Sequence, residues 1–278
     1  MLDVGAYHNL IIDRDTPPGL YLRTADGSEE VLLPNKYKPE AFQLDDELTV
    51  FVYLDHEERP VATTLDPLIQ RNSFAYLECT QLTDIGAFVD WGLEKELLVP
   101  FAEQVIPMRA GEWYVVYMYL DEKSNRLVGS TVVQRYLDKE PLSLKRFDKV
   151  DLLVSHISDL GANVIINGKY SGLIHRSDIF EDLRTGDRLP GYIRRVREDG
   201  KIDVVMQEEG YKSIEPNAEY LYQELKANDG KLYVHDKSKP EEIQATLGLS
   251  KKSFKKAVGA LYKDRKIVLE KDGIRLVD

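Results

Sequence analysis

The side chains of this chain that could do chemistry are aromatic and basic. Residues 83–90 read Thr-Asp-Ile-Gly-Ala-Phe-Val-Asp, and Leu-Leu-Val-Pro-Phe follows at 97–101. A glycine lets a strand bend sharply, and the aromatic two positions later, Phe88, then lies on the strand surface. An aromatic ring held there could stack on an unpaired nucleobase. A weaker copy of the pattern, Ser-Asp-Leu-Gly-Ala-Asn-Val-Ile, begins at Ser158.

Catalytic and metal-binding patterns are scarce. The sequence has no phosphate-cradling glycine-rich loop, no Cys-x-x-Cys and no His-Glu-x-x-His. Its histidines are scattered, so a zinc or catalytic cluster would require the fold to bring them together. We therefore expect a protein that is not an enzyme and has no metal, no cofactor and no small-molecule substrate.

Composition indicates a soluble folded protein. With 278 residues, the chain has room for two to four small domains. Its apolar runs are shorter than a membrane span, and its first residues lack a basic and apolar signal sequence. A single cysteine, Cys79, excludes an intrachain disulfide and fits a reducing compartment. We expect a cytoplasmic protein with no membrane contact, in which Cys79 is a small buried hydrophobe.

Charge is distributed unevenly along the chain. The net charge of −11 argues against nucleic acid at first sight. However, residues 1–66 carry a net charge of −9, whereas residues 211–278 carry +3. Local patches determine nucleic-acid affinity because counterion release depends on the phosphates that are contacted. The charge distribution therefore leaves a nucleic-acid partner open, especially toward the C-terminus.

Short strand patterns recur about every 70 residues in three successive segments, 1–66, 67–142 and 143–210. Each segment contains four or five β-like runs separated by turn signals such as Asp26-Gly27 and Asp199-Gly200. Because these repeats are longer than solenoid units, we predict a row of small β-barrels. The linkers near residues 66, 140 and 210 are short, which favours a fairly fixed arrangement.

The last segment, 211–278, changes character. Helical patterns begin at Asn217, Pro240 and Lys251, with Ser250 as a cap, and a hairpin turns at Asp272-Gly273. Three helices and a hairpin predict a winged helix.

The third predicted helix is amphipathic and basic. Its apolar residues share one face, and its lysines fall opposite or at the flank; these are Lys252, Lys255, Lys256 and Lys263. Residues 251–266 carry seven basic residues and one acid. Such a helix is the usual nucleic-acid reader of a winged helix, but an ordinary solvated lysine face has the same pattern.

This order of elements resembles the bacterial conserved virulence factor B family (CvfB, YitL-like). The resemblance is carried most specifically by residues 236–261, Asp-Lys-Ser-Lys-Pro through Val-Gly-Ala-Leu, and next by residues 86–96. It implies a multidomain, mainly β protein with three tandem S1-like OB-fold β-barrels followed by a C-terminal α+β winged-helix domain. It also implies RNA binding, a cytoplasmic location, a regulatory role in gene expression and no catalysis.

In the second barrel, the resemblance implies an incomplete RNA-binding set. S1-type domains often carry two aromatics, a histidine, an aspartate and a base on one face. Phe88 occupies one aromatic position, whereas Ile85 stands in place of the second aromatic. Phe101 lies beside the histidine position, and Asp121 with Arg126 fits the hairpin pair.

In the third barrel, Asn163 stands at the aromatic position, His175 keeps the histidine, Arg197 replaces the aspartate and Lys201 keeps the base. The first barrel matches only in layout, with Tyr21 as a stacking candidate.

Three further positions are candidates for RNA contact. Trp91 could extend the stacking platform of the second barrel or pack between domains, and the sequence favours neither. Arg176 follows His175 directly. Alternation along a strand places Arg195 and Arg197 on one side, where phosphate contact and solvated edge charge are both open.

The sequence therefore predicts a non-enzymatic, cytoplasmic, single-stranded RNA-binding regulator with loose sequence preference. Bases would stack on the second and third barrels while winged-helix lysines hold phosphates. One alternative is a regulator that binds double-stranded DNA through the winged helix. Another is an adaptor that docks on ribosomes or RNA-processing enzymes through the acidic first barrel.

Overall fold

The computed structural model divides the chain into two compact units, Met1–Met206 and Gln207–Asp278. The predicted boundaries at 142/143 and 210/211 fall on residues outside the described ranges. The structure describes residues 2–140, 144–197, 199–207, 216–235, 237–270 and 272–277.

The first sheet of the first unit is a closed five-stranded barrel in the order β1-β2-β3-β5-β4. Neighbours are antiparallel except for the parallel pair β3–β5. The predicted turn at Asp26-Gly27 joins β2 to β3, and Gly27 takes a positive φ of 70° there. The strands are β1 (Ala6–Thr16), β2 (Gly19–Arg23), β3 (Glu30–Pro34), β4 (Glu47–Leu54) and β5 (Pro60–Thr63).

The second sheet has five strands in the order β10-β9-β6-β7-β8. No ladder joins β8 to β10, although both strands are described throughout. The two strands still approach closely, because a Cβ on Gly129 would lie 2.8 Å from Val99 Cγ2. The strands are β6 (Ser73–Leu82), β7 (Gly86–Val89), β8 (Leu97–Pro100), β9 (Trp113–Asp121) and β10 (Arg126–Ser130).

The third sheet is again a closed barrel, in the order β11-β12-β13-β15-β14. Its β14 strand is interrupted by a register shift between Ile193 and Arg195 opposite β15. The strands are β11 (Lys149–Ser158), β12 (Gly161–Ile166), β13 (Tyr170–His175), β14 (Arg188–Val196) and β15 (Ile202–Val205).

One glycine recurs at the start of the second strand of all three sheets. Gly19, Gly86 and Gly161 have φ values of 151°, 154° and 141°. A Cβ at these positions would lie only 2.0 to 2.4 Å from a carbonyl oxygen of the third strand. The glycine is therefore required by backbone proximity, because no side chain fits between the two strands.

Apolar contacts join neighbouring barrels within the first unit. Phe51 and Tyr53 of β4 belong to the same buried cluster as the second barrel. A separate cluster joins β6 and β9 to β11 and β12, and Arg188 donates to the carbonyl of Phe74 at 2.7 Å. The three barrels are thus packed together by side chains that each barrel presents on its outer surface.

The second unit is a winged helix, as predicted. Its three-stranded sheet has the order β16-β18-β17, and its buried cluster draws on all three helices. Ser250 caps the third helix by accepting a hydrogen bond from the Ser253 amide at 3.1 Å. The elements are α1 (Pro216–Ala227), β16 (Lys231–Leu232), α2 (Pro240–Leu247), α3 (Lys251–Lys263), β17 (Ile267–Leu269) and β18 (Ile274–Leu276).

The predicted mainly β fold with barrel-like sheets and a C-terminal winged helix is confirmed. Within the described residues, no helix has the length and apolar character needed to span a membrane.

The recurring glycine gives a stability prediction for the third barrel. Gly161→Ala should lower the free energy of unfolding by about 2–5 kcal/mol, because the methyl group meets the Ile174 carbonyl and the residue keeps a strained φ. Gly168→Ala is the matched control: its φ is also positive at 66°, but nothing lies within 4 Å. Gly168→Ala should lower the free energy of unfolding by only about 1 kcal/mol, as measured by urea denaturation. Equal costs would show that backbone strain, and not close approach, fixes the glycine.

Candidate nucleic-acid interface

Phe88 and Arg126, two of the predicted contact residues, line the same groove of about 700 Å³. Leu54, His56 and Glu58 of the first barrel form one wall, and strands β6, β7, β8 and β10 of the second barrel form the rest together with the β7–β8 loop. We call this the inter-barrel groove. Phe88 is half-buried on β7, opposite Gln81 of β6 and Leu98 of β8. Part of its side chain therefore remains available to a ligand.

The rim of the inter-barrel groove is acidic. Glu58 binds both cations of the groove, Lys95 at 3.0 Å and Arg126 at 3.3 Å. The remaining acids of the lining are Asp90, Glu94 and Glu96. Carboxylates therefore outnumber ammonium and guanidinium groups at this surface, which was not evident from Phe88 and Arg126 alone.

Trp91 does not extend the stacking platform. Its side chain is 3% exposed and packs edge-on against Phe51, at 5.9 Å between ring centroids, and against Tyr53, at 6.2 Å. Its indole N–H donates to the carbonyl of Lys95. The stacking prediction for Trp91 is therefore corrected, because the first barrel covers the ring.

Phe101 and Asp121 lie outside the inter-barrel groove. Phe101 is 55% exposed at the first position of the short 3-10 helix Phe101–Glu103. Asp121 accepts hydrogen bonds from the hydroxyl and amide of Ser124, at 2.6 and 3.0 Å, which hold the pKa of its carboxyl below its usual value. Asp121 thus closes the β9–β10 hairpin, where it faces Arg126 in register.

Cys79 is a buried thiol of the second barrel. Burial, followed by the negative charge of Glu96, raises the pKa of the thiol. The thiolate is disfavoured, so the prediction of a small buried hydrophobe is confirmed. Within the described residues, no group of three or more His, Cys, Asp or Glu side chains could hold a metal ion.

The third barrel builds a charged cluster around a residue that the sequence analysis missed. Asp203 of β15 is 8% exposed, and its carboxylate receives Arg197 Nε at 2.9 Å and Arg197 Nη2 at 2.5 Å. His175 Nε2 lies 2.9 Å from the same carboxylate. Burial alone would raise the pKa of Asp203, but the bonds from Arg197 and His175 outweigh burial and lower it.

This cluster changes the role expected for Arg197. Its guanidinium pairs with the largely buried Asp203 carboxylate and lies 3.3 Å from His175 Nε2, so this ion pair competes with the phosphate contact predicted for Arg197. No local signal in the sequence indicated the role of Asp203, because His175 lies 28 residues before Asp203 and reaches it only in the folded barrel.

Exposed cations surround the third-barrel cluster. Arg195 is exposed, and in register it faces Asp203, whereas Arg194 pairs with Asp178 at 2.7 Å. Arg176 is exposed at the start of a 3-10 turn directly after β13. Lys201 is also exposed, with its Nζ 3.1 Å from Asp199. The cations thus lie near strand ends around Asp203, which is on β15. His175 and Arg176 lie at the end of β13, Arg195 near the end of β14 and Lys201 directly before β15.

The lysine face of α3 forms as predicted. The residues Phe254, Ala257, Val258 and Leu261 are buried. The side chains of Lys252, Lys255, Lys256 and Lys263 are all exposed. Tyr262, which the sequence analysis did not select, is 55% exposed beside Lys263 and adds an aromatic ring to the helix surface.

Two family models match the chain. The CvfB-like winged helix domain matches residues 219–276, and the S1 domain matches residues 4–65. The uncharacterized protein YitL of Bacillus subtilis is 28% identical over 96% of this chain and 91% of its own length. The resemblance to the conserved virulence factor B family is confirmed. Conserved virulence factor B of Staphylococcus saprophyticus is 26% identical over 92% of this chain and 88% of its own length.

Among solved structures, a multidomain protein with nucleic acid binding domains from Streptococcus pneumoniae is 24% identical, with a TM-score of 0.43. The comparison covers 99% of this chain and 98% of that one. The S1 model matches the first barrel, for which the sequence analysis found similarity in layout alone. The S1 and winged-helix domains of this CvfB-like chain indicate nucleic-acid binding.

The third-barrel cluster gives a pH-dependent stability prediction. The folded state lowers the Asp203 pKa, so the carboxylate stabilises the fold above the ordinary aspartate pKa of about 4. This contribution is lost as the pH falls through the lower folded-state pKa. Asp203→Asn should reduce the free energy of unfolding by about 1–3 kcal/mol at neutral pH.

Urea denaturation of Asp203→Asn and the parent chain at several pH values checks this expectation, and the difference should shrink below about pH 4. Asp182→Asn is the control, because the Asp182 side chain is 82% exposed. A difference that does not change with pH would mean that the cluster contributes packing and not charge.

Proposed function

We propose that this CvfB-like chain is a non-enzymatic, single-stranded RNA-binding protein that regulates bacterial gene expression after transcription in the cytoplasm. The observation that carries the proposal is the exposed lysine face of α3 in a domain type that indicates nucleic-acid binding. Lysine ammonium groups attract phosphates and release counterions when they bind them. Contacts between these lysines and phosphates do not depend on the identity of the bases, which fits the loose sequence preference that we expect.

The third barrel supplies the second part of the proposed interface. His175, Arg176, Arg195 and Lys201 are solvent-accessible and lie around a carboxylate that holds Arg197 in place. An unpaired strand of RNA can follow such a surface with its phosphates on the cations. In this proposal, Arg197 positions His175 and does not itself bind phosphate.

Aromatic side chains supply stacking in the proposed interface. Phe101 of the second barrel keeps its predicted role as a ring surface for bases in this proposal, and stacking contributes about 1–3 kcal/mol per base. Phe88 lies among carboxylates that repel phosphate, so the proposal assigns base stacking to Phe101 and not to Phe88. We expect the third barrel and α3 to provide most of the electrostatic attraction.

Fluorescence anisotropy with a labelled single-stranded RNA of mixed sequence tests the proposal. We expect salt-sensitive binding that unlabelled duplex DNA does not displace. Displacement by duplex DNA would support the alternative in which α3 reads a groove of DNA. Absence of binding at low salt would overturn the proposal and favour an adaptor that contacts proteins through its acidic first barrel.

The lysines of α3 give a quantitative prediction. The double variant Lys252→Ala/Lys256→Ala should weaken RNA binding and flatten its salt dependence. The log–log slope should fall by about 0.7 for each lysine that contacts a phosphate of a single strand. Anisotropy titrations at several salt concentrations measure both effects.

A matched variant separates specific contacts from net charge. Lys123→Ala/Lys139→Ala removes the same charge from exposed positions of the first unit. It should leave the slope unchanged if the α3 lysines hold phosphates. An equal loss in both variants would mean that overall charge, and not the α3 face, attracts RNA.

A further inference from the structure

The inter-barrel groove has an apolar surface that the RNA proposal does not use fully. Ile85, at the β6–β7 hairpin, is 55% exposed, and Phe88 and Leu98 are half-buried beside it. The lining crosses from the first barrel to both edge strands of the second sheet, β8 and β10. A groove of about 700 Å³ with convergent polar groups has the size and composition of a ligand site.

The charges of this groove favour a cationic ligand. Its two cations, Lys95 and Arg126, are both held by Glu58. Among the described residues, Asp90 and Glu96 have no ion pair: Asp90 accepts from the Gly92 amide, and Glu96 accepts from Gln81. Two carboxylates beside an apolar surface repel phosphate and attract ammonium or guanidinium groups.

The groove also runs along a seam of the sheet. β8 and β10 are the edge strands of an otherwise barrel-like sheet, and no ladder joins them in the part of the chain that the structure describes. The two strands nevertheless lie close together, because a Cβ on Gly129 would lie 2.8 Å from Val99 Cγ2, so an additional strand does not fit between them. A ligand therefore contacts the side chains that line the groove, and these side chains decide which segment binds.

We propose that the inter-barrel groove binds a peptide segment that carries lysine or arginine residues beside apolar residues. The apolar side chains contact Ile85, Phe88 and Leu98, and the cationic side chains reach Asp90 and Glu96. The partner is a protein with a basic segment of this kind. This inference goes beyond RNA binding, because it gives the acidic half of the chain a ligand of opposite charge.

Anisotropy titration of the full chain tests the proposal with a labelled short peptide of alternating lysine and valine. A peptide of alternating glutamate and valine is the charge control, and labelled single-stranded RNA is the competitor. We expect the lysine peptide to bind, the glutamate peptide not to bind, and RNA not to displace the lysine peptide. The RNA titration is measured separately, so failure of either proposal is distinguishable from failure of the other.

Variants locate the peptide site. Glu96→Lys and Phe88→Ala should each weaken peptide binding by at least about fivefold. Two matched controls should leave it unchanged: Glu122→Lys, at an exposed hairpin position, and Phe101→Ala, an exposed ring outside the groove. Ile85→Asp tests the same surface without a core change, since Ile85 is 55% exposed.

The proposal would be overturned if the lysine peptide did not bind, if both peptides bound equally, or if the groove variants behaved as their controls do. Displacement of the peptide by RNA, together with weaker RNA binding by Phe88→Ala, would assign the groove to nucleic acid instead. Thermal unfolding of each variant shows whether a loss reflects the groove or the fold.

Discussion

The packing of Trp91 against Phe51 and Tyr53 is the contact on which the geometry of the first two barrels depends. An indole buried in this way favours association through its large apolar surface, and its N–H is satisfied by the Lys95 carbonyl. The contact brings the β4–β5 turn of the first barrel, with Glu58, over the second barrel. The inter-barrel groove exists because of this contact, and a ring that could have stacked on a base is used to hold two domains together.

Charge separates the chain into surfaces with opposite preferences. The α3 helix presents four exposed lysines, whereas the inter-barrel groove presents carboxylates that its cations do not fully neutralise. Phosphates and basic peptides therefore favour different parts of one molecule. The net charge of −11 describes neither surface, because it sums regions that range from −9 over residues 1–66 to +3 over residues 211–278. Screening by salt weakens both attractions, so the two are best separated by charge-reversed probes.

Local features were predictable from the sequence, and long-range contacts were not. The period of α3, its Ser250 cap and the Asp26-Gly27 turn depend on residues a few positions apart, and all three formed as predicted. Trp91 was ambiguous because its cover comes from β4, some forty residues earlier in the chain. Asp203 was missed because its significance arises only when the barrel closes and brings His175 to it. The unpaired β8–β10 seam likewise depends on closure geometry and not on local pattern.

The recurring glycine and the residue two positions after it carry different information, and only the second bears on function. Gly19, Gly86 and Gly161 meet the same steric demand, since a carbonyl of the third strand occupies the space of a Cβ. The demand is met in the first barrel, which has Tyr21 two residues later, and in the third barrel, which has Asn163 there. The glycine therefore indicates the barrel fold, and only the side chain two positions later indicates a binding preference. In the second barrel that side chain is Phe88, and its ligand is decided by the carboxylates around it as much as by the ring.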